Sequence, residues 1–416
     1  MTKKKESISL SAFSIPSVMV ISILICLFIL FAIAFFNFSN YYYSYYHRTK
    51  QQKEDMNSAF VLYCNDSTLL PKIEKDGFYQ LYEDDPQTSV SIETGKWGLY
   101  EYAKVHTTGN CSSIHLLGKA QECEYKAALW VCSKNMVLSF GGKSEVKGNT
   151  YIPANGIKYV ELGTLPFQGK EIEDYYIDIS ERELPEVDRS HLYLMDKYLK
   201  ETEVIPSSED SRYKSYYSFS EKEVHFYIPD DIYKYSIKGH AVLHGNDIVL
   251  SSETILDDVI LLARRVTIDE GFRGCLQIIA TDTVIIRRNA HLRYPSGIYL
   301  KGNNDKTYLR MDENSTLSGY AIIFGTTENN SGDYVEENFR QAPTAQFNGL
   351  LYVDGVAHLQ GSCYGGTYLK ECYYLAADKT YATTIYNAKI YRNNQIGFPF
   401  FFKHSGYRRK DMKTLN

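Results

Sequence analysis

The chain has 416 residues, 44% of them hydrophobic and 23% charged, with a formal net charge of −5. That length supplies two or three domains with cores of their own and excludes a small disulfide-stapled module. Lys3, Lys4, Lys5, Arg48 and Lys50 against Glu6 make the first fifty residues basic, so the remainder is more acidic than the total. No nucleic-acid partner is expected, because a phosphate backbone needs a basic footprint.

Met1–Ser14 is a short tail carrying three lysines. Residues 15–38, IPSVMVISILICLFILFAIAFFNF, contain no charge and are long enough to cross a bilayer core of about 30 Å. Lysines ahead of the span favour a cytoplasmic N-terminus. Ala32-Ile33-Ala34 fits a signal-peptidase pattern but lies inside the apolar run, which exceeds a secretory core in length, so an anchor is expected. Tyr41, Tyr42, Tyr43, Tyr45 and Tyr46 form an aromatic belt at the outer interface. Neither Pro nor Gly occurs from Ser17 to Leu70, so the span continues as a juxtamembrane helix over 39–63.

This helix, apolar first and amphipathic later, resembles the N-terminus of type IV pilins and pseudopilins. The resemblance includes lysines upstream of a prepilin-type junction, Ala12 followed by Phe13. It departs in two places: Ala12 replaces the usual Gly, and Ser17 stands where the family has Glu. The plainer reading is a simple anchor.

Residues 64–140 alternate with period two, as in VSIET, WGLYEYAKVH and SIHLLGK, and read as a β-rich neck with Trp97 and Trp130 in its core. Residues 141–162 read as a first solenoid coil. Residues 163–236 read as an insertion with one helix after Pro185, carrying Leu192, Met195, Tyr198 and Leu199 on one face. Over 237–395 short apolar strands recur, with Val249, Val266 and Val284 spaced 17 and 18 apart. Such a period suits a right-handed parallel β-helix, whose stacked coils share one core. Residues 396–416 close the chain as an aromatic and basic cap. The expected fold class is therefore mainly β: one N-terminal transmembrane helix, a β-rich neck and a parallel β-helix ectodomain.

The segments GGKSEVKGNTYIPANGIK, LQIIATDTVIIRRNAHLRYPSG and LLYVDGVAHLQGSCYGG resemble bactofilin-like, polymer-forming coils. They are still more similar to membrane-anchored β-helix proteins of Bacteroidota that carry a pilin-like N-terminal helix. The resemblance implies an architecture and no reaction.

Signs of chemistry are few. Cys26 lies in the span, and no CxxC pair occurs among Cys64, Cys111, Cys123, Cys132, Cys275, Cys363 and Cys372, so zinc-ribbon spacing is absent. Cys111, Cys123 and Cys132 are near enough in sequence for one disulfide, and Cys363 with Cys372 for another; buried free thiols are the equal alternative. Gly142-Lys143-Ser144 lacks the earlier Gly of a Walker A loop, where Val137 stands. His240 and His244 lie on a strand-and-turn sequence, which does not make a metal pair.

Asp257, Asp258, Asp269, Glu270, Asp282, Arg264, Arg265, Arg287 and Arg288 could serve a polysaccharide-active β-helix if gathered on one face. A coil with the period of the valines instead places Arg264 by Asp282 and Arg287 by Asp269 or Glu270, as exposed ion-pair ladders.

The resulting expectation is a non-enzymatic structural or assembly component of the bacterial envelope. It would sit in the cytoplasmic membrane, with its C-terminal domain extracytoplasmic and other envelope or filament subunits as partners. No cofactor or metal is expected. The alternative is a carbohydrate-binding or carbohydrate-cleaving surface protein with a polysaccharide ligand.

Overall fold

A computed structural model describes residues 14–65, 79–81, 89–109, 111–120, 126–132, 136–161, 166–200, 215–228, 230–232, 234–302, 307–325, 337–376, 379–403 and 408–415. Ala12, Phe13 and Cys123 lie outside them. The chain is mainly β, with one long helix at its start, and it divides into two units.

The first unit comprises residues 1–60, 71–91 and 106–111. Its main element is α1, Ser14–Asn65, a single helix of 52 residues that includes the last residues before the second unit begins. Its apolar window has a mean hydropathy of 3.2, and the side chains from Ile15 to Phe38 are exposed throughout. By length and composition it can cross a membrane. The tyrosines at 41–46 are exposed as well. Further along, Gln52, Asp55, Met56, Ala59 and Phe60 are buried, at the three- and four-residue spacing that forms one helical stripe. Gln51 Nε2 donates to Asp55 Oδ1 at 2.9 Å along the same stretch.

The second unit holds a closed sheet of strands that pair almost entirely in parallel. Its logic is visible in Ile255–Ile268. Register shifts at Asp257/Val259 and Ala263/Arg265 bend this segment into three straight runs. The first run pairs back to Ser236–Gly239, the second to Ala241–His244 and the third to Asp247–Leu250. All three pair forward to Arg273–Ile286, Val266 meeting Val284 as their sequence spacing suggests. Corners form where the backbone turns through positive φ, at Asp258 (62°), Gly271 (78°), Asn289 (58°) and Asn314 (56°); Gly, Asn and Asp are the residues that tolerate that region.

Inward side chains stack row on row. Ile248, Val266, Val284, Leu309, Phe339 and Ala357 form one such column in register, and all are buried. Burying each large one is worth about 2 kcal/mol. Val249, which shares the sequence spacing, pairs with Thr267 and lies in the neighbouring column.

The order of rows departs from chain order. Tyr216–Tyr217, Val224–Tyr227 and Asp231–Ile232 form one end of the sheet, pairing among the described residues with Ser236–Gly239, Ala241–His244 and Asp247–Leu250. At the other end, Gly361–Leu375 pairs with Leu129–Val131, and Ala388–Tyr391 pairs with Glu145–Lys147. Leu129–Val131 and Leu138–Gly141, expected in the neck, are therefore rows of parallel sheets. Within residues 141–162, expected as the first coil, Glu145–Lys147 pairs instead with the late segment Ala388–Tyr391, and Thr150–Ile152 pairs with Leu129–Val131.

The remaining strands of the neck form a five-stranded sheet. Its order is Tyr79–Gln80, Ser89–Trp97, Tyr100–Thr107, Ser112–Lys119 and, from the far end of the chain, Arg409–Leu415. The last pairs antiparallel with Ser112–Lys119. The basic terminus is thus a strand, and Arg409 is engaged: its Nε donates to Glu101 Oε2 at 3.2 Å, and its guanidinium lies 4.4 Å from the Tyr63 ring.

One outer side of the closed sheet is covered. The second runs carry a register column of Leu262, Ile279, Tyr299, Ile322, Tyr352, Tyr368, Trp130 and Tyr151. Helix α2, Arg189–Lys200, lies against it. Asp188 caps α2, its Oδ1 accepting from the Ser190 amide at 2.8 Å, so the helix starts four residues beyond Pro185. Lys301 Nζ binds Asp196 Oδ1 of α2 at 2.7 Å. Phe398, Phe400, Phe401 and Phe402 are all buried; Phe401 packs on Tyr352 with centroids 4.7 Å apart, and Phe402 on Tyr368 at 4.9 Å. The C-terminal aromatics therefore pack back along a side of the sheet.

Glu101 links three elements here. Besides Arg409, it faces His191 Nε2 at 3.7 Å. Burial pushes its carboxyl up, but the contact with His191 and the charge-assisted hydrogen bond from Arg409 outweigh burial and leave it below the usual range. A depressed carboxyl contributes stability above its unfolded value that is lost as pH falls through the folded value. Stability is expected to decline below about pH 4.5, near the unfolded Glu value, and Glu101→Gln to flatten that acid limb, as urea midpoints between pH 3 and 7 would reveal.

Candidate functional site

The nine charged residues singled out from the sequence are spread over separate corners of the closed sheet. At the first corner Asp257 meets Lys238 at 3.7 Å and pairs with Arg293, while both oxygens of Asp258 take Lys413 Nζ at 2.7 Å. At the second, Arg264 bridges Asp247 and Asp282, and Arg265 Nε donates to Asp282 Oδ2 at 2.6 Å. At the third, Arg287 faces Asp269 at 3.4 Å, Asn289 donates to Glu270 at 3.0 Å, and Arg288 holds Glu313 at 2.6 Å. Each carboxylate is thus answered by a cation or amide, one row away in most cases and, for Asp258, on the C-terminal strand Arg409–Leu415. Exposed pairs of this kind are worth about 0.2–1 kcal/mol each.

Among the described residues the cysteines are thiols. Cys111 and Cys132 are free, and so are Cys363 and Cys372, which the sequence spacing made a candidate pair. The last two stand far apart along the extended segment Gly361–Leu375, well beyond the roughly 7 Å limit between bridged Cα atoms. Cys363 Sγ instead donates to Gln341 Oε1 at 3.4 Å. Burial pushes the thiols of Cys275, Cys363 and Cys372 up to about 12, where they behave as small core residues.

His240 and His244 do not come together. His240 Nδ1 accompanies the Glu221 carbonyl at 2.9 Å, and its ring stacks on Phe219. His244 Nε2 instead meets His225 Nδ1 at 2.9 Å, and His225 Nε2 meets Glu223 Oε1 at 2.8 Å. No group of three metal-ligating side chains occurs among the described residues. Gly142-Lys143-Ser144 is a turn: Gly142 has φ of 62°, and Ser144 Oγ donates to the Gly141 carbonyl at 2.7 Å.

A cleft that the sequence did not announce opens beside the third runs. It has a volume of about 380 Å³ and is lined by Arg288, Arg310, Arg340 and His358, with Asp312, Glu313 and Gln360 among its other walls. Arg310 and Arg340 are register partners on adjacent rows, and Arg340 is the register partner of His358. Arg310 Nε donates to Asp312 Oδ1 at 2.6 Å. Arg340 Nε lies 3.3 Å from Glu337 Oε1 and 3.4 Å from His358 Nδ1. Burial, reinforced by Arg340, holds the His358 imidazole down to about 4, so it is neutral near pH 7. The wide sequence separation of Arg310 and Arg340 hid this pairing, because the segment 326–336 interrupts the regular period.

Compared with protein-family models, curated proteins and solved structures, the chain matches none.

Proposed function

We propose that this protein is a membrane-anchored structural or assembly component of the bacterial cell envelope, with its N-terminus in the cytoplasm and its β-rich part outside. The observation that carries the reading is α1. An exposed apolar half, a tyrosine cluster and a buried polar-apolar stripe follow one another along a single helix. Lysines at its start favour the inward orientation. The row-on-row register supports a parallel β-helix, and the general preference of parallel crossovers favours the right-handed form. Ion pairs cover the exposed corners, which suits a rigid spacer. The pilin-like entry at Ala12–Phe13 suggests assembly with other envelope subunits.

The test is copurification of the full chain from membranes, with and without polar substitutions across residues 13–21. Wild-type protein is expected to resist alkaline extraction and to bring down envelope subunits that the variant loses, while the ectodomain stays folded. Release of the wild type by alkali, or the same partners with both proteins, would refute the reading. Mass analysis of the mature N-terminus then separates a start at Phe13, the prepilin-type route, from retention of Lys3–Lys5, the plain anchor.

A further inference from the structure

The cleft beside the third runs differs in kind from the corner ladders. Along those ladders a cation on one row answers a carboxylate on the next. Here two arginines, Arg310 and Arg340, are register partners on rows about 4.8 Å apart. Like charges in that position oppose sheet pairing. Each is held from one side by its Nε, on Asp312 for Arg310 and on Glu337 and His358 for Arg340. Among the described residues their terminal Nη groups make no other hydrogen bond or ion pair. A guanidinium fork in that state matches a carboxylate bidentately.

His358 adds a second, independent sign. It is 5% exposed, and its Nε2 is buried with no hydrogen-bond partner. Its Nδ1 faces the Arg340 donor and must accept, so Nε2 carries the proton. A buried N–H without an acceptor costs about 1–3 kcal/mol.

The rest of the lining selects among anions. Asp312 and Glu313 would repel a multiply charged phosphate, yet they accept hydrogen bonds from hydroxyls. Gln360 offers both a donor and an acceptor, and Ala342 and Pro343 give an apolar surface for ring C–H groups. We propose that this cleft binds a saccharide bearing a carboxylate, with Arg310 and Arg340 gripping the carboxylate and Asp312, Glu313 and Gln360 taking ring hydroxyls. Nothing in this requires bond cleavage, and it is independent of how the chain is anchored.

Calorimetric titration of the full chain in detergent at low salt tests it, using a galacturonate trimer, the neutral galactose trimer, sodium acetate and inorganic phosphate as probes. The uronide is expected to bind, with the neutral trimer and acetate each at least about tenfold weaker, the loss of one charge-assisted contact set. Arg310→Gln and Arg340→Gln should each weaken the uronide by about tenfold or more, and Arg287→Gln, on the neighbouring ladder, should leave it unchanged. Circular dichroism checks the fold of each variant, and the half-exposed Arg310 site answers the question if Arg340→Gln unfolds. The proposal is overturned by no uronide binding, by equal binding of the neutral trimer, acetate or phosphate, or by folded Arg310→Gln binding as wild type.

Discussion

Gly349→Val is expected to lower stability by about 4 kcal/mol, the combined scale of overpacking against backbone and of forcing a side chain into positive φ. Gly319, Gly349 and Gly365 are register partners on successive rows, with φ of 140°, 139° and 144°. A Cβ on Gly349 would stand 1.8 Å from the Gly319 carbonyl oxygen, and one on Gly319 would stand 1.7 Å from that of Ser296. Backbone cannot move aside as a side-chain tip can, so the rows would have to separate and weaken the core columns beneath them. Gly156 supplies the control: its φ is 85°, but nothing lies within 4 Å of a Cβ there. Gly156→Ala should therefore cost only the conformational strain, about 1 kcal/mol. Urea unfolding followed by circular dichroism compares the two; equal midpoints would show that the glycine column does not hold the rows together.

Gln277→Leu should cost about 3 kcal/mol, because three buried groups lose their partner and none can reach water. Gln277 points outward from the closed sheet and is buried beneath the turn between Ser89–Trp97 and Tyr100–Thr107. Its Nε2 donates to the Trp97 carbonyl at 2.9 Å, and its Oε1 accepts from the Leu99 amide at 3.2 Å and from the Tyr320 hydroxyl at 2.8 Å. Gly98, with φ of 61°, makes that approach feasible, since a Cβ there would meet Gln277 Oε1 at 2.0 Å. Leucine keeps the volume and removes the polar atoms, so lost packing does not confuse the result. Hydrogen exchange at the Leu99 amide reports the local effect and the urea midpoint the global one. A protected Leu99 amide with an unchanged midpoint would show that aromatic packing alone docks this turn.

The tyrosine content makes sense in the same place. The sequence shows 37 tyrosines and suggests strands. Four of them form a column from Tyr299 to Tyr151 that depends on register, and Tyr299, Tyr352 and Tyr368 there border an interface between the closed sheet and a covering element. A phenol suits that position because its ring packs while its hydroxyl finds a polar partner, as Tyr299 does at Asp196.

The candidate site was legible only where the coil period held. From Asp247 to Asn289 successive rows keep nearly one length, and there sequence spacing alone places Arg264 beside Asp282 and Arg287 beside Asp269. Beyond that, the segments 303–306 and 326–336 lengthen the rows, and Arg310, Arg340 and His358 come together at separations no fixed period predicts.

What the sequence determined by itself is local. An apolar run with neither Pro nor Gly after Pro16 makes α1, and short Val- and Ile-rich runs between Gly, Asn and Asp make rows with corners. These follow from hydrogen bonding and side-chain period within a few residues. The tertiary structure decided which rows adjoin. It put Leu129–Val131 beside Gly361–Leu375 and Glu145–Lys147 beside Ala388–Tyr391, made a strand of Arg409–Leu415, left Cys363 and Cys372 apart as thiols, and lined a cleft with two arginines from adjacent rows. Parallel pairing joins segments distant in the chain, and the unpaired edge of the last row accepts any strand of matching inward pattern, wherever the chain supplies it.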